Sequence, residues 1–395
     1  MRKLIVFTFA AIVAMFAIAA TAVAKTDSSV ATSAAQAAAI TCGSTRTIGM
    51  AAPITGPAAS IGTDQLDWAK FFVSNWNKLK VNKNRKIKVI QGDTQLGVNT
   101  SFAVSVAQSF ASNSKLLAVV GPAGSQEVVA STSAYESGGL GFVSGSATRT
   151  SLADGVTDGN RIGYFYRTVP NDSIQGPTVA NYITKKLNAT RVYIIDDQET
   201  YSQGLADSVQ AILKARGVTV TRDSISQQAS DFSSNIAKIP GNTQVIYTPW
   251  QLSPQAQTFG QQLKAAGKGG ITMFGSDGLF DPATWKITGS YVSFFPVDTS
   301  AAVTVAYAKA HNGDGEFFGA PSYVAAQVAV LAVTRACADG KATRAEVRAQ
   351  LAKINIPAKV SLLGIRIDFQ RNGNLRHGGF GVYQIQSDGT YKRVG

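Results

Sequence analysis

The sequence is poor in the residues on which most enzymes and metal sites depend. It holds two histidines and two cysteines in 395 residues, and no Cys-x-x-Cys pair occurs. It also lacks a Gly-x-Ser-x-Gly elbow, a Gly-x-Gly-x-x-Gly fingerprint and a phosphate loop that ends in Gly-Lys-Ser or Gly-Lys-Thr. We therefore expect a protein that is not an enzyme, binds no metal and carries no cofactor.

The chain has a single long apolar run, and it lies at the N-terminus. Two basic residues precede an apolar stretch at residues 4–20, and a small-x-small site ends at Ala24. This order is typical of a signal peptide, residues 1–24, and predicts a periplasmic or extracellular protein. A retained membrane anchor is the alternative, since the stretch is nearly long enough to span a bilayer. Residues 25–43, mostly small and polar, are predicted to form a flexible leader.

Export places the two cysteines, Cys42 and Cys337, in a compartment that permits disulfides. A bridge between them and two separate thiols are both compatible with the sequence, because connectivity cannot be read from spacing.

The formal net charge of +13 does not indicate a nucleic-acid partner. The basic residues are scattered, and the densest cluster, residues 78–88, contains no aromatic side chain. A solvated loop explains such a cluster.

After the leader, apolar strands alternate with amphipathic helices of about ten to fifteen residues. This alternation is typical of βαβ units and predicts an α/β fold with parallel sheets. The alternation runs through two successive series, the second of which begins near Tyr164, so we expect two doubly wound lobes. Near the C-terminus, residues 365–369 and 380–385 are predicted to pair as a hairpin around Gly373.

Two loops rich in glycine and hydroxyl groups, residues 121–125 and 144–148, follow buried strands of the first series. Ligands of open α/β sheets bind at the carboxyl ends of the strands, and a helix start favours negative charge. We therefore expect Ser125, Ser146, Ala147 and Thr148 to hold a small anion such as a carboxylate. Tight turns without a ligand are the alternative.

The second series offers a fixed negative charge, Asp277, in a loop directly after a strand. Neutral donors on one side of a cleft and one carboxylate on the other suit a zwitterion, so the sequence predicts an α-amino acid ligand. Asp277 could instead cap the short segment that follows it. Tyr201 and Trp250, each just past a strand, are expected to wall the side-chain pocket or else to pack in the core.

Several segments of the chain resemble, in order and spacing, those of the branched-chain amino-acid binding proteins of ABC transporters. These segments are residues 52–62, 119–125, 144–148, 166–170, 172–177, 201–206 and 275–278. The resemblance implies a type I periplasmic-binding fold, with two lobes joined by three hinge crossings near residues 168–171, 295–298 and 362–365. The first lobe is then residues 44–168 and 296–362, and the second is residues 169–295 and 363–395.

The resemblance also assigns roles to individual residues. It implies that Ser125, Ala147 and Thr148 hold the carboxylate of the ligand, that Tyr201 is a pocket residue, and that Asp277, where the family usually has glutamate, holds the ammonium group.

The chain departs from the family in its pocket. Ile61 stands where an aromatic residue is common, and Trp250 stands near a position that is often tyrosine. The ligand therefore stays open among branched-chain and other amino acids, amides and aromatic acids.

We expect a monomeric, exported solute-binding protein of an ABC importer that captures an amino acid and docks on a membrane permease. A sensory protein of the same fold and an exported hydrolase are the alternatives.

Overall fold

A computed structural model describes residues 39–311 and 318–395 of the chain. The predicted signal peptide and most of the predicted leader lie outside these described residues. Within them, no helix is both long enough and apolar enough to cross a bilayer.

Strands and helices alternate along most of the described chain. The strands are β1 (Ile40–Thr41), β2 (Thr45–Ala52), β3 (Lys86–Asp93), β4 (Leu116–Val120), β5 (Phe142–Ser144), β6 (Phe165–Arg167), β7 (Arg191–Asp196), β8 (Thr219–Ser224), β9 (Val245–Thr248), β10 (Thr272–Gly275), β11 (Tyr291–Phe294), β12 (Lys341–Ala342), β13 (Asn355–Ile356), β14 (Ile367–Asp368), β15 (Gly381–Ile385) and β16 (Tyr391–Arg393). The helices are α1 (Ala59–Lys78), α2 (Thr100–Ser112), α3 (Ser125–Ser137), α4 (Asp172–Lys185), α5 (Thr200–Ala215), α6 (Ser233–Lys238), α7 (Ser253–Ala265), α8 (Ala302–Ala310), α9 (Gly319–Ala336) and α10 (Arg344–Leu351).

Two large sheets organise these elements. The first sheet has the order β3-β2-β4-β5-β6, and all of its strands are parallel. The second has the order β16-β15-β11-β10-β9-β7-β8; the strands from β11 to β8 are parallel, and β15 and β16 are antiparallel additions at one edge. The predicted α/β fold with two doubly wound lobes is confirmed.

The core of the first lobe lies between the first sheet and the helices α1 and α9. Every residue of β4 is buried, as expected for a central parallel strand that is covered on both faces. Helix α9 is apolar around most of its circumference, and its buried residues include Val324 and Val328. Trp68 of α1 stacks on Tyr307 of α8 with ring centroids 3.8 Å apart. Segments far apart in sequence therefore build one core.

Cys42 and Cys337 form a disulfide, with an S–S distance of 1.99 Å and a Cα–Cα distance of 5.7 Å. The bond joins the region just after β1 to the end of α9, and β1 pairs with β12 beside it. The sequence had left this pairing open. The bond closes a loop of 295 residues, which holds the start of the described chain against the first lobe.

The chain passes between the lobes three times, but the last passage comes later than expected. Leu363, Ile367 and Leu375 belong to the core of the first lobe, and β14 pairs with β13 there. The chain joins the second sheet only at β15, so the last crossing lies between residues 375 and 381 rather than at 362–365. The predicted hairpin of residues 365–369 with 380–385 is wrong for the same reason, since burial of this apolar segment draws it to the first lobe.

Candidate functional site

A narrow cavity lies between the two lobes, where the carboxyl ends of both sheets meet. This is the position at which open α/β sheets bind ligands. The residues that line it come from both lobes: Ile61, Leu96, Ala123, Ser146, Tyr201, Gln251, Asp277, Gly278 and Phe318. Three of the predicted ligand-binding residues, Ser146, Tyr201 and Asp277, are among them, as is the pocket position Ile61. Ser125, Ala147 and Thr148 are not among the lining residues.

The first loop of the site, residues 121–125, depends on a glycine. Gly121 has a φ of +96°, and a Cβ atom there would lie 2.0 Å from the carbonyl oxygen of Ala51. No other residue fits this position without a shift of the backbone. The loop then delivers Ser125 to the first position of α3, and the Oγ of Ser125 accepts a hydrogen bond from the backbone N–H of Arg149 at 3.2 Å. This bond ties the two first-lobe loops together.

The second loop, residues 144–148, is held by its own hydroxyl groups. The Oγ of Ser144 donates to the carbonyl of Pro122 at 2.7 Å and accepts from the N–H of Ala147 at 3.0 Å. The Oγ of Ser146 donates to the carbonyl of Ala123 at 2.8 Å and accepts from Gln65 at 2.7 Å. The Ser146 hydroxyl and the Ala147 N–H therefore serve the loop structure in this conformation.

Thr148 differs from its neighbours in this loop. Its side chain is fully buried, and its hydroxyl lies beside the carboxyl group of Asp172, whose pKa it lowers as a hydrogen-bond donor. The hydroxyl of Ser125 accepts the bond from Arg149. Neither hydroxyl donates to a group of the two loops.

On the second lobe, Asp277 is almost completely buried at the end of β10. Its Oδ1 accepts hydrogen bonds from the hydroxyl of Tyr201 at 2.5 Å and from the Nε2 of Gln175 at 2.7 Å. Burial raises the pKa of the Asp277 carboxyl, and the two hydrogen bonds oppose that rise by stabilising the ionised form. Gln175 also donates to the Oγ of Ser293 at 2.9 Å, which fixes its amide.

A second carboxylate, Asp172 at the start of α4, lies close to Asp277. Its backbone N–H donates to the carbonyl of Thr148 at 2.9 Å, and the hydroxyl of Thr148 lies beside its carboxyl group. Burial raises the pKa of Asp172, and the negative charge of Asp277 raises it further. The Thr148 hydroxyl and the positive charges of Arg167 and Arg149 oppose the rise. The sequence analysis assigned no role to Asp172, because a buried aspartate at a helix start cannot be told from an ordinary cap.

Arg167 is one of two cations near Asp172, and its side chain binds groups of the first lobe. The guanidinium is fully buried and donates to Asn374 at 2.8 Å and to the carbonyls of Ala147 and Arg149 at 3.0 and 2.7 Å. It therefore holds the 144–148 loop in place. The positive charges of Arg167 and Arg149 both act on Asp172, and neither is among the causes that set the pKa of Asp277. Asp277 is therefore the buried acid of the cavity wall to which a cationic ligand group can bind.

Trp250 does not line the cavity. Its indole N–H donates to the carbonyl of Ile195 at 2.7 Å, and its ring stacks on Phe232 in the core of the second lobe. The prediction that Trp250 lines the pocket is therefore wrong, and the alternative, that it packs in the core, is correct. The next residue, Gln251, faces the cavity instead, because successive side chains of an extended segment point to opposite sides.

The two lobes touch each other directly across the cleft. The Nε2 of Gln126 on α3 donates to the Oε1 of Gln251 at 2.6 Å, and an Nη of Arg149 donates to the carbonyl of Thr200 at 2.6 Å. At the rim, the amide of Gln228 donates to the carbonyl of Gly97 at 3.3 Å. The lobes are thus closed over the cavity. No group of three or more His, Cys, Asp or Glu within the described residues is arranged to hold a metal ion.

Comparison with known proteins gives consistent results. A family model described as periplasmic binding protein matches residues 45–390. An amino acid binding protein of Pseudomonas aeruginosa is 28% identical over 221 residues, and the match covers 56% of this chain and 57% of that protein, little more than half of its length. A Leu/Ile/Val-binding protein of Rhizobium johnstonii is 27% identical over 355 residues, or 86% of this chain and 92% of that protein.

Among solved structures, the substrate-binding protein of a branched-chain amino acid transporter from Streptococcus pneumoniae, in complex with isoleucine, has a similar fold. Its TM-score is 0.74 at 24% sequence identity, and the match covers 89% of this chain and 99% of that one.

Proposed function

The chain belongs to the periplasmic binding protein family, and from that premise we propose that it captures an α-amino acid between its lobes. The captured ligand is then presented to an ABC permease in the membrane. The protein acts in the periplasm or outside the cell, as a monomer, and it catalyses no reaction.

The observation that carries this proposal is the buried carboxyl group of Asp277 in the wall of the cavity. Across the cavity, the first lobe contributes Ala123 and Ser146, which belong to the loops that also carry Ser125 and Thr148. In the proposal, an α-ammonium group pairs with Asp277, and the two first-lobe loops bind the α-carboxylate through Ser125 and Thr148. Tyr201 and Gln175 then act as positioning residues, because they hold the Asp277 carboxylate in place.

The walls of the cavity support a ligand with an apolar side chain. Ile61, Leu96 and Phe318 give the cavity apolar surface next to the carboxyl group of Asp277. The names of two relatives, an amino acid binding protein and a Leu/Ile/Val-binding protein, agree with such a ligand. Closure of the lobes follows from a ligand that contacts both of them at once.

The proposed absence of catalysis is supported by where the histidines lie. His311 stacks on Tyr307 of α8, and His377 lies 3.4 Å from Asp368. Neither is among the residues that line the cavity, so Ser125 and Ser146 lack an imidazole base there.

A calorimetric comparison of leucine with two truncated analogues tests the proposal. 4-Methylpentanoate lacks the ammonium group, and isoamylamine lacks the carboxylate. We expect both to bind at least about 30-fold more weakly than leucine, since each leaves one end of the site unpaired. A parallel thermal-shift screen covers the other amino acids, small amides and aromatic acids. A ligand at a hundred times its Kd stabilises by about 2.7 kcal/mol. Stabilisation by amides or aromatic acids, with none by any amino acid, would overturn the proposal.

A further inference from the structure

The turn between α1 and β3 reverses the usual placement of apolar and polar side chains. Leu79 and Val81 are 53% and 75% exposed, whereas Asn82 is only 4% exposed. The Nδ2 of Asn82 donates to the carbonyl of Trp76 at 3.1 Å, and its backbone N–H donates to the carbonyl of Leu79 at 2.9 Å. One exposed apolar side chain is ordinary, but two of them on a turn that buries an asparagine indicate an interaction surface.

Hydrogen bonds to the flanking elements hold this turn in shape. The indole N–H of Trp76 donates to the carbonyl of Arg85 at 2.9 Å. The side chain of Asn77 accepts from the N–H of Ile87 at 2.8 Å and donates to the carbonyl of Ile87 at 2.9 Å. The turn is therefore anchored at both ends, and the exposure of its two apolar side chains belongs to the folded conformation.

Basic side chains flank the two apolar ones. Residues 78–88 include five lysines and one arginine, and none of these residues is acidic. The exposed basic residues next to the apolar pair are Lys78, Lys80, Lys83 and Arg85. No ion pair among the described residues involves any of these four. Their positive charge is therefore available to an anionic partner.

Arg46 on β2 adds positive charge to the same end of the first sheet, since it lies in register with Ile87 of β3. The side chain of Arg46 is buried, and its Nε and Nη1 have no hydrogen-bond partner among the described residues. Burial lowers the pKa of Arg46, and the positive charge of Arg85 lowers it further. The field at this end of the sheet therefore attracts an anionic surface.

We propose that this turn docks on the surface of a lipid bilayer that contains anionic phospholipids. The basic side chains contact the phosphate headgroups, and Leu79 and Val81 enter the boundary between headgroups and acyl chains. Lysine suits such a boundary, because its aliphatic stem packs on apolar surface while its ammonium group stays among the headgroups. The turn precedes β3 and so lies at the amino edge of the first sheet, away from the carboxyl edge that forms the cleft.

Sedimentation with vesicles tests the proposal on the exported protein. Vesicles of phosphatidylcholine are compared with vesicles in which about one-third of the lipid is phosphatidylglycerol. We expect the protein to bind the anionic vesicles at least about tenfold more tightly at about 0.1 M salt, and to dissociate from them at about 0.5 M salt, where surface charges are screened. The segment before residue 39 is the same in every variant, so it cannot cause a difference between variants.

Two double variants separate the two parts of the surface. Lys80→Ala with Lys83→Ala should weaken binding to anionic vesicles about 30-fold, since each basic residue near such a surface contributes about fivefold. Leu79→Ser with Val81→Ser keeps the charge and should weaken binding at least about tenfold through lost apolar burial. The control is Lys185→Ala with Lys186→Ala at the end of α4, where both lysines are exposed. It makes the same change of net charge and should alter binding less than about twofold.

Several outcomes would overturn the proposal. Equal binding to both kinds of vesicle, or binding to neither, refutes it, as does unchanged binding in either turn variant. An equal loss in the control variant means that net charge alone acts. Binding to a soluble polyanion such as heparin, without binding to vesicles, means that the turn recognises a charged polymer and not a bilayer. None of these results affects the proposed function, because none of the measurements involves an amino acid ligand.

Discussion

The substitution Asp277→Asn removes one negative charge from the site and changes little else. The side chain keeps its shape, and its amide oxygen can still accept the bonds that Tyr201 and Gln175 now donate to Oδ1 at 2.5 and 2.7 Å. The ligand ammonium loses a buried, charged partner. Loss of one member of such a pair costs about 2–5 kcal/mol, which corresponds to an affinity roughly 30-fold to 4,000-fold weaker.

Two measurements together distinguish this effect from damage to the fold. Calorimetry with the best amino acid from the screen should show the weakened affinity. Urea denaturation of the ligand-free variant at pH 8 should show a free energy of unfolding equal to or above that of the unaltered protein, because burial disfavours the charge that was removed.

The matched control is Asp207→Asn on α5, whose side chain is 73% exposed, and it should leave affinity unchanged. An affinity within twofold of the unaltered value in a folded Asp277→Asn protein would show that this acid does not face the ligand.

Three further predictions concern stability and are measured by urea denaturation. Burial raises the pKa of Asp197 to about 7 in the folded protein, against about 3.9 in an unfolded chain. The folded state therefore holds this proton more tightly, so the free energy of unfolding should fall as pH rises from about 4 to about 7, and Asp197→Asn should flatten that dependence; an unchanged profile contradicts the assignment. Gly121→Ala should lower the free energy of unfolding by about 2–4 kcal/mol, since the new Cβ atom would lie 2.0 Å from the carbonyl oxygen of Ala51. The control is Gly163→Ala, at a φ of +94° with no atom near the new Cβ, which should lower the free energy of unfolding by only about 1 kcal/mol. Equal losses of stability in the two variants would refute the steric argument. Replacing Cys42 and Cys337 by serine should lower the free energy of unfolding by about 2–5 kcal/mol, and an unaffected protein would mean that the closed loop contributes nothing.

The sequence predicts the central strands of both sheets well, because burial on both faces produces continuous apolar runs. Strand β4 has the bounds expected from its run of five apolar residues. Strand β8 is hard to recognise in the sequence, since it lies at the edge of the second sheet and most of its residues are only partly buried. An edge strand needs fewer apolar residues, so Thr219–Ser224 carries almost none of the signal by which β4 is found.

The site was predictable to the extent that it follows from loops at strand ends. Asp277, Tyr201 and Ser146 line one cavity because parallel strands bring their carboxyl ends together. Asp172 could not be identified in the same way, because its burial depends on the packing of α4 against the second sheet. The orientation of Trp250 was equally out of reach, since a shift of one residue decides which side chain of an extended segment faces the cleft.

The interleaving of the two lobes along the chain constrains how the protein can be made. The first lobe needs α9, which ends at residue 336, and the second sheet needs β15 and β16 from the last fifteen residues. Domains generally fold as units, and a ribosome adds about 5–20 residues per second. Neither lobe has all its parts until most of the polypeptide has emerged, so a nascent chain cannot finish one half before it starts the other. Both lobes, and the cleft between them, are therefore completed only late in synthesis. A chain truncated before β15 lacks two strands of the lobe that carries Asp277.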